Sequence, residues 1–222
     1  MSLFLGPIHY WMYGKIENNW RRERAIFKTY LNRYGPEALD VAGKSETCYQ
    51  AFNNGKPLEE LAEGKSIHSF LQGELDRVEV SEAQLITAFV RRYGEEAAKL
   101  AIDAAYAFGR LCGEEAARTV SRGTLDLAEA RELFLRYQLD GMPCDRVTEV
   151  VEADGGLLCI HYECLHRRNW EEAQADFGIM CDVVRGFTDG FHEALGIHHQ
   201  RRKAIACGDE QCEDFYRKGK VP

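Results

Sequence analysis

The sequence predicts an α+β protein: an N-terminal helical region with an internal duplication, then a C-terminal antiparallel sheet of two hairpins with helices on one face. Three observations predict it. The first is self-similarity. At an offset of 59 residues, His9 falls on His68, Gly14 on Gly73, Glu23 on Glu82, and Arg33-Tyr34-Gly35 on Arg92-Tyr93-Gly94. Identities that keep one register mark a duplicated helical unit, residues 8–51 and 67–110. The second is a change of hydrophobic period from 3.6 to 2 after Pro143. The third is a pair of turn signals, Asp154-Gly155-Gly156 and Gly208-Asp209, each between short alternating runs.

Each repeat opens with a helix start. Pro7 suits the first turn of one, and Ser66 can cap the other. Gly14 and Gly73 are expected to stop or kink these short helices. A second helix follows in each copy, capped by Asn18 or Asn19 in the first and by Ser81 with Gln84 in the second. Tyr34-Gly35 and Tyr93-Gly94 end them. Residues 95–111 continue as an amphipathic helix with Ala97, Leu100, Ala101, Ala104, Phe108 and Leu111 on one face. Asn53-Asn54-Gly55 forms a turn between the copies. A further helix, about 127–139, stops at Asp140-Gly141-Met142-Pro143. Strands at 147–153 and 157–164 make the first hairpin, helices follow at 169–178 and 179–195, and strands at 203–207 and 212–217 make the second. The chain thus divides into a helical region, 1–112, and a cysteine-rich α+β region, 113–222, packed as one unit.

A chain of 222 residues can bury a core without disulfides. Its net charge of −8 argues against a nucleic-acid surface, which needs a basic face. The basic run Gln200-Arg201-Arg202-Lys203 reads as a solvated strand end. No window reaches the roughly 20 apolar residues of a membrane span. The N-terminus lacks a positive leader and an apolar core, so a cytoplasmic protein with reduced thiols is expected. Spare aromatic surface on the helical half makes a homodimer an expectation too.

Five of the eight cysteines, Cys159, Cys164, Cys181, Cys207 and Cys212, fall in the C-terminal region. Three readings are open for them. Cys164, Cys181, Cys207 and Cys212 could enclose a tetrahedral zinc or an iron–sulfur cluster. Cys181, expected at a helix N-terminus, could be a reactive thiolate with Asp182 orienting its partner and Cys164 close by. Packing as small buried hydrophobes is the third. On strand 157–164, Cys159, His161 and Glu163 share one face, with His161 and Glu163 expected on the solvent side. In the helical half, His9 and His68 sit in first helical turns, where the dipole disfavours imidazolium. If the copies pack about a pseudo-twofold axis, the two rings converge, and Trp11, Tyr13 and Phe70 could wall a flat cofactor or small-molecule ligand. A repeated structural histidine is the alternative. Glu23 and Glu82 read as ion-pair partners of arginine, and His198-His199 as loop residues of little use as ligands. No Gly-rich phosphate loop, Gly-x-Ser-x-Gly elbow or His-Glu-x-x-His occurs.

Tyr93-Gly94-Glu95-Glu96-Ala97, the hairpin ending in Cys164, Cys181-Asp182 and Gly208-Asp209-Glu210-Gln211-Cys212-Glu213 resemble the L-2-amino-thiazoline-4-carboxylic acid hydrolase-like family. More distantly they resemble the 4-vinyl-reductase-type small-molecule-binding domain. The resemblance implies an α+β fold with a ligand pocket and a cysteine cluster, and, for the first family, hydrolysis of a cyclic amidine C–N bond. It also implies an acid some residues after the cysteine matching Cys181; Asp182 adjoins that cysteine and Asp189 lies further on. Cys207 sits where the family has no cysteine, and the first 60 residues lie outside the resemblance. Two functions follow as expectations: a hydrolase-like enzyme with Cys164, Cys181 and Asp182 at its site, or a metal- or cofactor-binding sensor or carrier.

Overall fold

The duplicated helices run side by side and touch through their equivalent residues. In this computed structural model, residues 5–43, 56–120 and 125–219 are described. Helix α1 is Pro7–Tyr34, α2 Glu37–Ala42, α3 Leu58–Leu61, α4 Ile67–Tyr93, α5 Glu95–Arg118 and α6 Leu127–Phe134. The rings of His9 and His68 meet with centroids 5.6 Å apart, those of Tyr30 and Phe89 stack at 3.9 Å, and those of Tyr34 and Tyr93 at 3.8 Å. Pairing of equivalents at the start and at the end means that α1 and α4 are parallel about a pseudo-twofold axis. Polar contacts repeat the symmetry: Arg22 donates to Glu82 in a buried bidentate pair, and Ser81, the equivalent of Arg22, donates to Glu23. The turn expected at Asn53-Asn54-Gly55 and the end of the first repeat lie outside the described residues.

Gly14 and Gly73 do not end their helices; α1 and α4 run straight through them for 28 and 27 residues. A helix-interior glycine costs only about 1 kcal/mol against alanine. Burial of Met12, Ile16 and Trp20 on one side, and of Phe70, Leu71 and Leu75 on the other, outweighs that. At Gly35 and Gly94 the backbone turns to φ 69°, and there the helices do stop.

The C-terminal half contributes β1 (Thr148–Ala153), β2 (Gly156–His161), α7 (Arg167–Glu172), α8 (Phe177–Ala194), β3 (Ile197–Lys203), a 3-10 turn (Ile205–Cys207) and β4 (Cys212–Lys218). The sheet is antiparallel with order β1-β2-β4-β3, so the two hairpins lie side by side, joined by β2 and β4. The third strand begins six residues earlier than its sequence pattern suggests. Residues 205–207 turn instead, with the Ala204 and Ile205 amides donating to Asp209 and to the Cys212 sulfur. His198 and His199 therefore lie within a strand rather than a loop.

Helix α8 ties the halves together. Gly186 and Gly190 of α8 lie against the Ile102, Tyr106 and Arg110 backbone of α5, and Gly109 and Gly113 of α5 against the Phe187 and Phe191 backbone of α8, so the two helices touch backbone to backbone. A Cβ on Gly186 would stand 2.9 Å from the Ile102 carbonyl oxygen; on Gly109, Gly113 or Gly190 it would press harder still into a carbonyl of the facing helix. One hydrophobic core runs across this junction from Ile26, Tyr30 and Phe89 through Ala101 and Ala105 to Phe187 and Phe191.

Two glycine substitutions separate these environments. Gly190→Ala is expected to destabilise by several kcal/mol or to abolish folding, because backbone, not a side chain, stands in the way. Gly14→Ala, with nothing within 4 Å of the new methyl, is expected to stabilise by about 0.5–1 kcal/mol. Urea unfolding of both variants checks the contrast.

Candidate functional site

Between the inner face of the sheet and helices α6, α7 and α8 lies a cavity of about 110 Å³. Strand alternation builds its sheet wall in rungs. Thr148, His161 and Cys212 are register partners across β1, β2 and β4, and the next rung sets Cys159, Asp214 and Arg201 side by side across β2, β4 and β3. Tyr216 pairs with His199 on the rung beyond. Cys181, Val184 and Thr188, one stripe of α8, face this wall, with Phe134 of α6 and Trp170 of α7 closing the sides. The face of β2 carrying Cys159 and His161 is thus the interior one, and His161 lines the cavity rather than solvent.

A charge network underlies the cavity, with Asp214 and Arg201 lining it and His199 and Asp189 behind them. Asp214 accepts from His199 Nε2 at 2.9 Å and from Arg201 Nε at 2.8 Å, and Arg201 reaches its second oxygen at 3.3 Å. The other nitrogen of His199 bonds Asp189 at 2.5 Å. Burial alone would strip His199 of its proton, but the bonds to two carboxylates outweigh it and raise its pKa. Carboxylate oxygens stand against both ring nitrogens, an arrangement that favours the imidazolium form of His199. Burial likewise opposes charge on Asp214, yet the His199 bond and the Arg201 guanidinium hold it well below the usual carboxylate range. Beside His199, His192 is buried and bonds the Thr188 carbonyl; burial, reinforced by His199, drives its pKa down to about 3.

The helical half supports the site from behind. Glu79 of α4 bonds His166 at 2.8 Å and, despite burial, raises its pKa. Its second oxygen accepts from Asn169. The buried Lys15 of α1 pairs with Asp140, which lines the cavity.

The sequence-predicted residues divide. Cys164, Cys181 and Cys212 do line one cavity, joined by Cys159. Burial pushes all four thiols up, in Cys181 only partly offset by Arg201, whose Nη1 stands 2.9 Å from the sulfur. Cys181 is the fifth residue of α8, because Asp176 caps the helix further upstream, so it lies beyond the turn where the dipole would favour a thiolate. Asp182 points away from the cavity and pairs with Arg185 at 2.9 Å; Asp189 is the acid of α8 that joins the network. The expected zinc or iron–sulfur centre of Cys164, Cys181, Cys207 and Cys212 does not assemble. Cys207 is exposed in the 3-10 turn, a guanidinium faces Cys181, and among the described residues no three His, Cys, Asp or Glu side chains are arranged to hold a metal ion.

His9 and His68 do converge, but edge to face, at 88° between ring planes. His9 Nδ1 accepts from the Gly6 amide and closes the start of α1, the structural role. Phe70 is buried in the local core, Tyr13 packs against it, and Lys15 sits over Trp11; none of the five lines the cavity.

Arg201, His199 and Asp214 were not legible as a site, whereas Asp189 enters the sequence reading as one of two acids that could follow Cys181. Arg201 belongs to a run that reads as a solvated strand end, yet it is turned inward with His199 by the parity of β3. The available signal was that parity: His199 and Arg201 on one strand, Cys212, Asp214 and Tyr216 on the other, every second residue.

Fold and cavity define an α+β protein with a small, partly charged interior site under an antiparallel sheet. No protein-family model, curated protein or solved structure matches the chain. Among the described residues no helix is long and apolar enough to cross a membrane.

The histidines set the pH dependence of stability. The unfolded chain protonates its histidines near pH 6.5. His192 and, through burial, His161 resist protonation when folded, so stability falls as pH drops from about 6.5 towards 3. His199 and His166 hold their protons more tightly when folded, so stability is also lost as pH rises above about 6.5. Urea unfolding across pH 5–8 is expected to show a maximum near 6.5. His192→Gln should flatten the acid limb and His199→Gln the alkaline one. Asp214→Asn, which leaves two buried cations facing a neutral amide, is expected to cost about 3–5 kcal/mol, and Asp182→Asn less than about 0.5 kcal/mol.

Proposed function

We propose that this protein binds a small polar molecule in the cavity under the sheet. The observation that carries the reading is the cavity's construction. A space that apolar side chains could fill is instead bordered by Asp214, Arg201, His166 and Asp140, each paired from behind. Buried ion pairs are seldom the most stable filling for an interior, since hydrophobic replacements often do as well or better. Holding them beside an open space suits recognition of a polar ligand, while Trp170, Phe134 and Tyr216 offer flat apolar walls to a ring.

The resemblance to L-2-amino-thiazoline-4-carboxylic acid hydrolases supports a cyclic amidine as the ligand class and hydrolysis of its C–N bond as the reaction. Thiols in the cavity favour that second step. His199 cannot serve it as a base, because both its nitrogens are engaged. The metal-carrier reading has no preassembled ligand set among the described residues to support it.

A panel of small cyclic amidines and related ring compounds, screened by melting temperature, tests binding. A ligand at 100 times its Kd is expected to stabilise by about 2.7 kcal/mol. Val184→Phe, which fills the cavity from α8, should abolish the shift while the protein stays folded. A ligand that shifts wild type and Val184→Phe equally places binding elsewhere and contradicts the proposal.

A further inference from the structure

We propose that Cys212, His161 and Thr148 form a nucleophile, its base and the base's orienter within the cavity, acting on a small electrophile with an amidine or carbonyl carbon. The inference rests on small molecules entering the cavity.

The three residues form a single rung of the sheet. His161 is the register partner of Thr148 on one side and of Cys212 on the other, and all three line the cavity. Directly opposed residues of antiparallel strands have Cβ atoms about 5 Å apart, so the two side chains leave the sheet as neighbours on one rung and face the same cavity. Thr148 Oγ1 lies 3.0 Å from His161 Nδ1 and fixes the ring's orientation, leaving Nε2 for a proton. Burial keeps His161 neutral at pH 7, against the pull of Asp214 and Asp140 and with the help of Arg201 and His166. Burial raises the Cys212 thiol; the Ile205 amide, which donates to the sulfur at 3.3 Å, and Arg201 favour the anion, while Asp214 and Cys164 oppose it, so the thiol needs a base to take its proton. No other cavity thiol has a register-partner histidine. Cys181 is held by Arg201, and Cys159 faces Asp214 across the strands.

With an amidine, the sulfur bonds to the carbon, the C=N electron pair moves to nitrogen, and the thiol proton passes to His161 Nε2. The departing amine takes that proton as the C–N bond breaks. Water then adds to the sulfur-bound carbon with His161 as base. The S–C bond breaks and the proton returns to Cys212, so the net reaction is hydrolysis.

Iodoacetamide is the probe, applied to the full chain carrying Cys207→Ser and read by site-resolved mass spectrometry, with the exposed Cys144 as internal reference. Alkylation forms the S–C bond, expels iodide and sends the thiol proton through His161 to water. Between pH 6.5 and 8 alkylation of a small-molecule thiol added as a control rises about tenfold per pH unit. The Cys212 rate should stay nearly flat, because His161 is already the proton acceptor. His161→Gln should lower the Cys212 rate at pH 7 at least tenfold and restore the steep slope. Thr148→Val should give a smaller loss, and it carries the test if His161→Gln does not fold; neither variant should alter Cys144. A Cys212 that stays unlabelled, that shows the free-thiol slope in wild type, or that ignores both substitutions overturns the dyad. Melting shifts with the amidine panel are read on the same proteins. A lost dyad with intact shifts removes only this inference, whereas absent shifts with an intact dyad remove only the ligand proposal.

Discussion

The close crossing of α5 and α8 sets the rest of the architecture. Four glycines leave out the Cβ where the two backbones cross, and the helices approach until carbonyl oxygens of one lie where side chains of the other would begin. That contact fixes the rotation of α8. With Gly186 and Gly190 against α5, the stripe of Cys181, Val184 and Thr188 must face the sheet, and Asp189 reaches His199. The site is therefore an outcome of helix packing. Any change that rotates α8 moves the cavity wall and detaches an acid from the network at once.

The duplicated helices act as a brace for the same site. Their symmetric contacts, from the stacked Tyr34 and Tyr93 to the crossed Arg22–Glu82 and Ser81–Glu23 bonds, hold two parallel helices in one register. From that rigid pair, Lys15 and Glu79 reach out to Asp140 and His166. Neither is related to the other by the repeat, so the duplication supplies the frame while unrepeated side chains supply the contacts. This also answers why His9 and His68 meet without making a ligand site. Symmetry brings equivalents together, and at that position the lone pair of His9 is used to close its own helix.

Sequence patterns reveal most of the fold and half of the site. The repeat, the Tyr-Gly stops, the first hairpin and the four-stranded sheet follow from periodicity and turn chemistry, which are local. Helix continuity through Gly14 and Gly73 was not legible, because tertiary burial outweighs a weak local preference. The gathering of Cys164, Cys181 and Cys212 was visible as a density of thiols in the last third of the chain. The strand network of His199, Arg201 and Asp214 was not, although Asp189 of α8 stands among the acids that the resemblance marks. Each member is a polar residue in a polar run, and only the pairing of β3 with β4 shows that alternate ones turn inward. Register is a long-range property, and a one-residue slip would send all of them to the opposite face.

A paired charge network, with Asp214 and Arg201 at the wall and His199 behind them, underlies the cavity in which we propose that a small polar molecule binds. Protonation states of the histidine rings test it most directly, through nitrogen-15 correlation spectra of the ring nitrogens at pH 7. His199 is expected with both nitrogens protonated, and His192 and His161 as neutral rings. A neutral His199 beside Asp214 would contradict it, since the network would then lack the cation around which its two carboxylates are arranged.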